Sequence, residues 1–202
     1  MRSRPVVPET ENVRAFIAIT PAVELAKKLK AAQGELQSTL PDNAVRWIKP
    51  EQLHITLKFL GNVPGVKLES VVAAANRACD GMKSFRLTLE GVGCFPNTKV
   101  PRVIWIGMGG ELEFLETLQN RIKTEMGRFC ECDERRGFRP HLTIGRVKVS
   151  GRAARKVGES VERMTIPPLG GWMVREVELV QSELLAEGPR YRKLTSIMLT
   201  GR

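Results

Sequence analysis

Apolar residues recur along this chain in two rhythms, every second position over short runs and every third or fourth position over longer ones. The run Arg14-Ala15-Phe16-Ile17-Ala18-Ile19 predicts a strand. Thr20-Pro21 then reads as a helix start, with Thr20 as N-cap and Pro21 in the first turn, and Leu25, Leu29 and Leu36 carry an apolar face to about Leu40. Pro41-Asp42-Asn43 ends that helix. Val45 to Ile48 predicts a strand, Lys49-Pro50 a break, and His54 to Leu60 a second strand closed by Gly61-Asn62. A helix follows over about Val66–Cys79, with Leu68, Val71, Val72 and Ala75 inward, and then a strand over Phe85–Glu90.

The same order returns in the second half. Arg102–Ile106 predicts a strand, Glu111–Phe129 a helix, His141–Val149 a strand, Arg152–Met164 a helix, Trp172–Leu184 a long strand, and Lys193–Leu199 a last one. Arg14 and Arg102 are 88 residues apart, and His54 and His141 are 87 apart. A shared offset for two landmarks predicts two similar α+β lobes with a site in the groove between them. No linker rich in Pro, Gly or Ser separates the halves. We therefore expect residues 1–13 to be a short N-terminal extension and residues 14–202 a single bilobal domain.

Composition narrows the function classes. At 42% hydrophobic and 27% charged, the 202 residues are ordinary for a globular protein. No apolar run reaches the ~18 residues that span a bilayer, and residues 1–13 lack the apolar core of a signal peptide, so a cytoplasmic protein without membrane contact is expected. Lys and Arg exceed Asp and Glu by ten, which invites a polyanion but does not identify one. The clusters Lys27, Lys28, Lys30 and Arg152, Arg155, Lys156 read as solvated helix faces. Cys79, Cys94, Cys130 and Cys132 are expected to be free thiols. Cys130-Glu131-Cys132 has no second ligand pair at a zinc spacing, and no phosphate-binding Gly-rich loop is present.

The chain has only two histidines, and each opens the same pattern: His54-Ile55-Thr56-Leu57 and His141-Leu142-Thr143-Ile144. On a strand, positions i and i+2 share a face, so each copy presents an imidazole and a hydroxyl together while the apolar residues turn inward. Two such strands across a groove would set one imidazole on either side of a bound group. In-line displacement at phosphorus needs that placement, with a base for the nucleophile, an acid for the leaving oxygen, and hydroxyls donating to the non-bridging oxygens. Imidazole, with a pKa of about 6.5, serves either role near neutrality. No Asp/Glu cluster accompanies the pair, so a metal-independent reaction with no cofactor is expected.

These tetrapeptides come with Arg14-Ala15-Phe16-Ile17-Ala18-Ile19, Arg46-Trp47-Ile48-Lys49-Pro50, Thr56-Leu57-Lys58-Phe59-Leu60-Gly61, Phe138-Arg139-Pro140-His141, Val103-Ile104-Trp105, and Ser182-Glu183-Leu184 with Tyr191 after Gly188-Pro189. Together they resemble the 2H phosphoesterase superfamily, and within it the RNA 2′,3′-cyclic phosphodiesterases, also called 2′-5′ RNA ligases. The resemblance implies a bilobal 2H-phosphoesterase fold of two pseudo-symmetric lobes, each with an antiparallel sheet and helices. It implies hydrolysis of a 2′,3′-cyclic phosphate at an RNA 3′ end to a 2′-phosphomonoester. On the matching positions, it makes His54 the proton donor, His141 the proton acceptor, and Thr56 and Thr143 the phosphate-binding residues. Joining of RNA ends through a 2′-5′ linkage would be the reverse reaction with an RNA hydroxyl replacing water. The implied partner is RNA with a 2′,3′-cyclic phosphate end, tRNA fragments among the candidates, acted on by a monomer.

Lys58, four residues past His54, shares its parity and is a candidate substrate contact beside the alternative of a solvated lysine. Arg146 has the wrong parity to His141, unless a bulge at Gly145 re-aims it into the groove. Phe16, Trp47 and Trp105 are either base-stacking or core residues, core being favoured by their apolar strands. Two other readings stay open here: cleavage of 2′-5′-linked oligonucleotides or small cyclic nucleotide phosphates, and a non-catalytic RNA-binding module, against which the intact pair of motifs argues.

Overall fold

The first strand, β1 (Asn12–Ile19), is apolar on both faces: Val13, Ala15, Ile17 and Ile19 enter one hydrophobic cluster, Phe16 and Ala18 another. In the computed structural model, which describes residues 11–130, 137–185 and 188–201, this strand lies inside a sheet with something to cover on each side. Residues 1–10, most of the expected extension, lie outside the described part, and β1 begins at Asn12.

Among the described residues eight further strands follow: β2 (Val45–Trp47), β3 (Ile55–Pro64), β4 (Phe85–Phe95), β5 (Val103–Gly110), β6 (His141–Val147), β7 (Gly170–Val174), β8 (Glu176–Leu185) and β9 (Gly188–Met198). They form two antiparallel sheets, one of order β3-β1-β8-β9 and one of order β2-β6-β5-β4-β7. The described residues also form four α-helices, α1 (Ala26–Ser38), α2 (Leu68–Cys79), α3 (Leu112–Met126) and α4 (Gly151–Arg163), which makes the fold α+β. Leu29 and Leu36 on α1, Val71 and Ala75 on α2, and Leu115, Leu118 and Ile122 on α3 enter the larger cluster, following the helical periodicity of the sequence. That cluster is continuous from Val13 to Leu199 and passes through both lobes.

The lobes are not the two halves of the sequence. The four-stranded sheet takes β1 and β3 from the first half and β8 and β9 from the end of the chain, while β2 and β4 join the five-stranded sheet. The helices cross as well. Gln33 of α1, which leaves β1, hydrogen-bonds Ile144 on β6, whereas α3, which leaves β5, packs on β3 and α2.

Among the expected elements that differ, three do so for a local reason at their ends or middle. Thr20 does not cap a helix: its hydroxyl donates to the Glu178 carboxylate at 2.7 Å, and the chain passes through a 3-10 turn, Val23–Leu25, before α1 begins. Gly61-Asn62 does not end β3, because Gly61 at φ 72° lies beside a bulge facing β1 and the pairing resumes beyond it. The long strand expected over Trp172–Leu184 is two strands. It breaks at Arg175, where the chain leaves one sheet for the other, so β7 pairs β4 while β8 pairs β1.

Candidate active site

The two sheets approach each other along β3 and β6, the strands that carry the paired motifs. His54 follows a 3-10 turn, Pro50–Gln52, that Lys49-Pro50 initiates, and His141 follows Pro140. Both arrive in extended backbone, and both rings are tied in the same way. His54 Nδ1 lies 2.7 Å from the Gln52 carbonyl oxygen and His141 Nδ1 lies 2.7 Å from that of Arg139, each two residues back. A carbonyl only accepts, so Nδ1 carries the proton and donates, and Nε2 is the ring nitrogen that this bond leaves able to take up or give a proton.

The strand register repeats too. Ala18 pairs Thr56 and Ile19 pairs Ile55, while Trp105 pairs Thr143 and Ile106 pairs Leu142. Moving every member of the first set by 87 residues gives the second. Ile55 and Leu142 are fully buried, so Thr56 and Thr143 face the opposite side, the groove. Both threonines are half-buried, and neither hydroxyl has a protein hydrogen-bond partner among the described residues.

Directly after each Thr the pairing skips one residue, Leu57 on β3 and Ile144 on β6. A one-residue bulge reverses the facing of everything beyond it. On β6, Gly145 therefore lies opposite buried Ile104, and Arg146 lies opposite Val103 and Arg46 on the groove face. On β3, the same device turns Lys58 away from the groove. It lies opposite Ile17 of the core and is 4% exposed. The expectation that Lys58 shares the face of His54 is thus corrected, because alternation counted from the sequence does not register the bulge at Leu57.

Burial is the largest influence on both imidazoles and holds each pKa below the ordinary 6.5. The carbonyl hydrogen bonds oppose it, and the Arg146 charge adds to it at both rings. His54 further feels Glu178, which raises its pKa, and His141, which lowers it. Arg146 and the two histidines therefore share one electrostatic environment. Arg46 and Arg146 face each other with no carboxylate partner among the described residues. Like charges directly opposite are unfavourable on a sheet unless an anion lies between them.

Aromatic rings wall each histidine. Phe16 lies 4.7 Å from His54 between centroids, Tyr191 meets His54 edge-on at 4.9 Å, and Phe95 meets His141 edge-on at 4.8 Å. Phe16 is 2% exposed and packs with Ala18, Val180 and Tyr191, so it supports the site from beneath. Trp105 stands beside Phe95 at 5.3 Å, and Trp47 packs on the main core against Gly145. Phe95, Arg46 and Glu178 escaped the sequence reading. Phe95 was hidden because β4 was expected to stop at Glu90, whereas Gly91 at φ 69° carries a bulge through which the strand continues. Glu178 and Arg46 could have been found only from the strand pairing. Among the described residues no group of three or more His, Cys, Asp or Glu could hold a metal ion. The Cys130 thiol donates to the Phe59 carbonyl at 3.3 Å, and Cys132 lies outside the described residues.

A protein-family model described as LigT-like phosphoesterase matches residues 19–105. The RNA 2′,3′-cyclic phosphodiesterase of Methanothermobacter thermautotrophicus is 35% identical over 182 residues, which cover 89% of this chain and 95% of that protein. The protein of the same name from Archaeoglobus fulgidus is 34% identical over 90% of this chain and 98% of its own. Among solved structures, E. coli LigT complexed with 3′-AMP is similar with a TM-score of 0.75 at 28% identity, covering 94% of this chain and 99% of that one.

Proposed function

Because the chain belongs to the LigT-like phosphoesterases, the family of the RNA 2′,3′-cyclic phosphodiesterases, we propose that it opens a 2′,3′-cyclic phosphate at an RNA 3′ end to the 2′-phosphomonoester. The observation that carries the reading is the doubled His-x-Thr geometry. Two imidazoles with Nδ1 engaged and Nε2 available, each with a Thr hydroxyl on its face, stand on strands of identical register at the seam of the sheets.

In this reading the cyclic phosphate lies between the rings. His141 Nε2 takes a proton from water as the water oxygen bonds to phosphorus. The bond from phosphorus to O3′ breaks, and His54, protonated at Nε2, gives its proton to O3′. One water is consumed, and the two histidines end with their protonation exchanged. Thr56 and Thr143 donate to the non-bridging oxygens, where charge concentrates in the transition state. Arg146, with Arg46 opposite, supplies positive potential to the phosphate and the adjoining RNA backbone. A lowered pKa leaves His54 short of its proton in the free protein. An anionic phosphate between the rings stabilises the imidazolium and restores it. If an RNA 5′-hydroxyl attacks the cyclic phosphate in place of water, with the bond to O3′ breaking as before, the same groups join two ends through a 2′-5′ linkage, and the reverse, O3′ attacking as O5′ leaves, cleaves it.

With a defined RNA ending in 2′,3′-cyclic phosphate, the expected product is the 2′-phosphate, formed equally in excess chelator. A 3′-phosphate product, or activity lost on chelation, would overturn the mechanism. The pH profile offers a second check. kcat/KM reports the free protein, and its bell centres midway between the two histidine pKa values. Since both are lowered, its maximum is expected below pH 6.5, with the kcat maximum at higher pH because bound phosphate raises them. A kcat/KM maximum at or above pH 7 would contradict the assignment.

A further inference from the structure

Besides Lys58, the only polar side chains buried among the described residues are Gln33 on α1 and Gln119 on α3, at 6% and 5% exposure. A buried amide is costly unless its hydrogen bonds are made, and both are made to the active-site strands. Gln33 Nε2 donates to the Ile48 carbonyl at 2.8 Å and to the Ile144 carbonyl at 2.9 Å. Gln119 Nε2 donates to the Leu57 carbonyl at 3.3 Å. Leu57 and Ile144 are the fourth residues of the two motifs and the residues that the strand register skips.

The two contacts are crossed. Gln33 comes from the helix that follows β1, the partner of β3, yet it holds β6. Gln119 comes from the helix that follows β5, the partner of β6, yet it holds β3. We propose that Gln33 and Gln119 are positioning residues, each fixing the bulge behind the Thr of the opposite motif and so holding the two halves of the groove in register with each other. The peptide that follows Thr56 or Thr143 sets where that hydroxyl points. The bulge at Ile144 is also what delivers Arg146 to the groove. The Ile144 carbonyl also accepts from the Ile48 N–H at 2.9 Å, so the Gln33 amide ties this bulge and the end of β2 together, and at both bulges the amide adds an anchor from outside the sheet.

The inference rests on the proposed two-histidine reaction, and its test has one arm that needs no turnover. Gln33→Met and Gln119→Met keep nearly the same shape and lose the donor. Each is expected to lower kcat about 10-fold or more with KM changed less than about twofold, since a misplacement near 1 Å costs up to ~10²-fold. The chain has two histidines, so the imidazole NMR spectrum holds two sets of signals. His54 is faced by Arg146 of β6, Glu178 of β8, Tyr191 of β9 and His141, and His141 by Arg146 and the Phe95 ring. Gln33→Met, by loosening the turn that presents Arg146, is expected to raise the pH at which His141 titrates. Gln119→Met should move chiefly the His54 signals. If a Met variant fails to fold, the Asn variant, which keeps the amide but withdraws it by one methylene, replaces it with the same expectations. Unmoved ring titrations with kcat within about twofold of wild type, whatever the melting temperature, would overturn the proposal. A wild-type protein that leaves cyclic-phosphate RNA intact would overturn the reaction alone, and the ring titrations would still decide the role of the glutamines.

Discussion

Replacing either His54 or His141 by Ala is expected to lower kcat on 2′,3′-cyclic-phosphate RNA by about 10²–10⁴-fold, the usual contribution of a general acid or base. The folded state should survive. Among the described residues each ring makes one hydrogen bond, to a carbonyl two residues away, and truncation forfeits about 1 kcal/mol from that bond together with the contacts of the neighbouring aromatics. Steady-state turnover beside thermal melting separates the two effects. The double variant should lose little more than either single one, because acid and base act on one transition state and are not additive. A substrate whose 3′ oxygen is replaced by sulfur distinguishes the two roles. Sulfur departs without protonation, so His54→Ala should recover much of its rate on it and His141→Ala should not. Equal recovery of both, or turnover within tenfold of wild type for either, would remove the assignment.

The second large effect is expected at the threonines. Thr56→Val and Thr143→Val keep the β-branched shape that suits a strand and delete only the hydroxyl. Neither hydroxyl holds a protein group among the described residues, so stability should change little. If the hydroxyls donate to the non-bridging oxygens, each variant should lose about 10²-fold in kcat, the lower end of what one donor to a developing oxyanion contributes. Because the two stand in matching registers, the losses should be of similar size. A loss confined to KM would make them ground-state binding groups, and no loss at all would exclude them from the reaction.

The part of this site legible in the sequence is the part that follows from alternation. His54 with Thr56, and His141 with Thr143, lie two residues apart on strands, and that spacing alone places each pair on one face. The order of strands and helices was legible for the same reason, since leucines on α1 and α3 and the apolar run of β1 report period directly. What alternation cannot carry is an interruption of itself. Lys58 lies on the wrong side of a parity count because Leu57 stands outside the pairing and, being apolar, gives no sign of it, while Arg146 is re-aimed by a bulge that falls at Ile144 rather than at Gly145, where the sequence suggests one. Strand partners were equally silent. Glu178 reaches His54, and Arg46 faces Arg146, through pairings between segments far apart in the chain. The 87-residue repeat holds at β1/β3 and β5/β6 and so reports two similar lobes, but it says nothing of which sheet receives the last two strands.

That last placement bears on how the protein comes into being. β1 leaves the ribosome well before one of its two neighbours, β8, with Ala18 set against Glu178. Until β8 arrives, β1 and β3 form a two-stranded ribbon with an apolar open edge, which is marginal by itself and prone to pair with other chains. The five-stranded sheet likewise awaits β7. A nascent chain therefore holds both histidine motifs well before it has the sheets that hold them in place. The paired site is complete only once β8 has been made, and a message truncated before Glu176 yields both histidines without the sheet that holds β1 and β3.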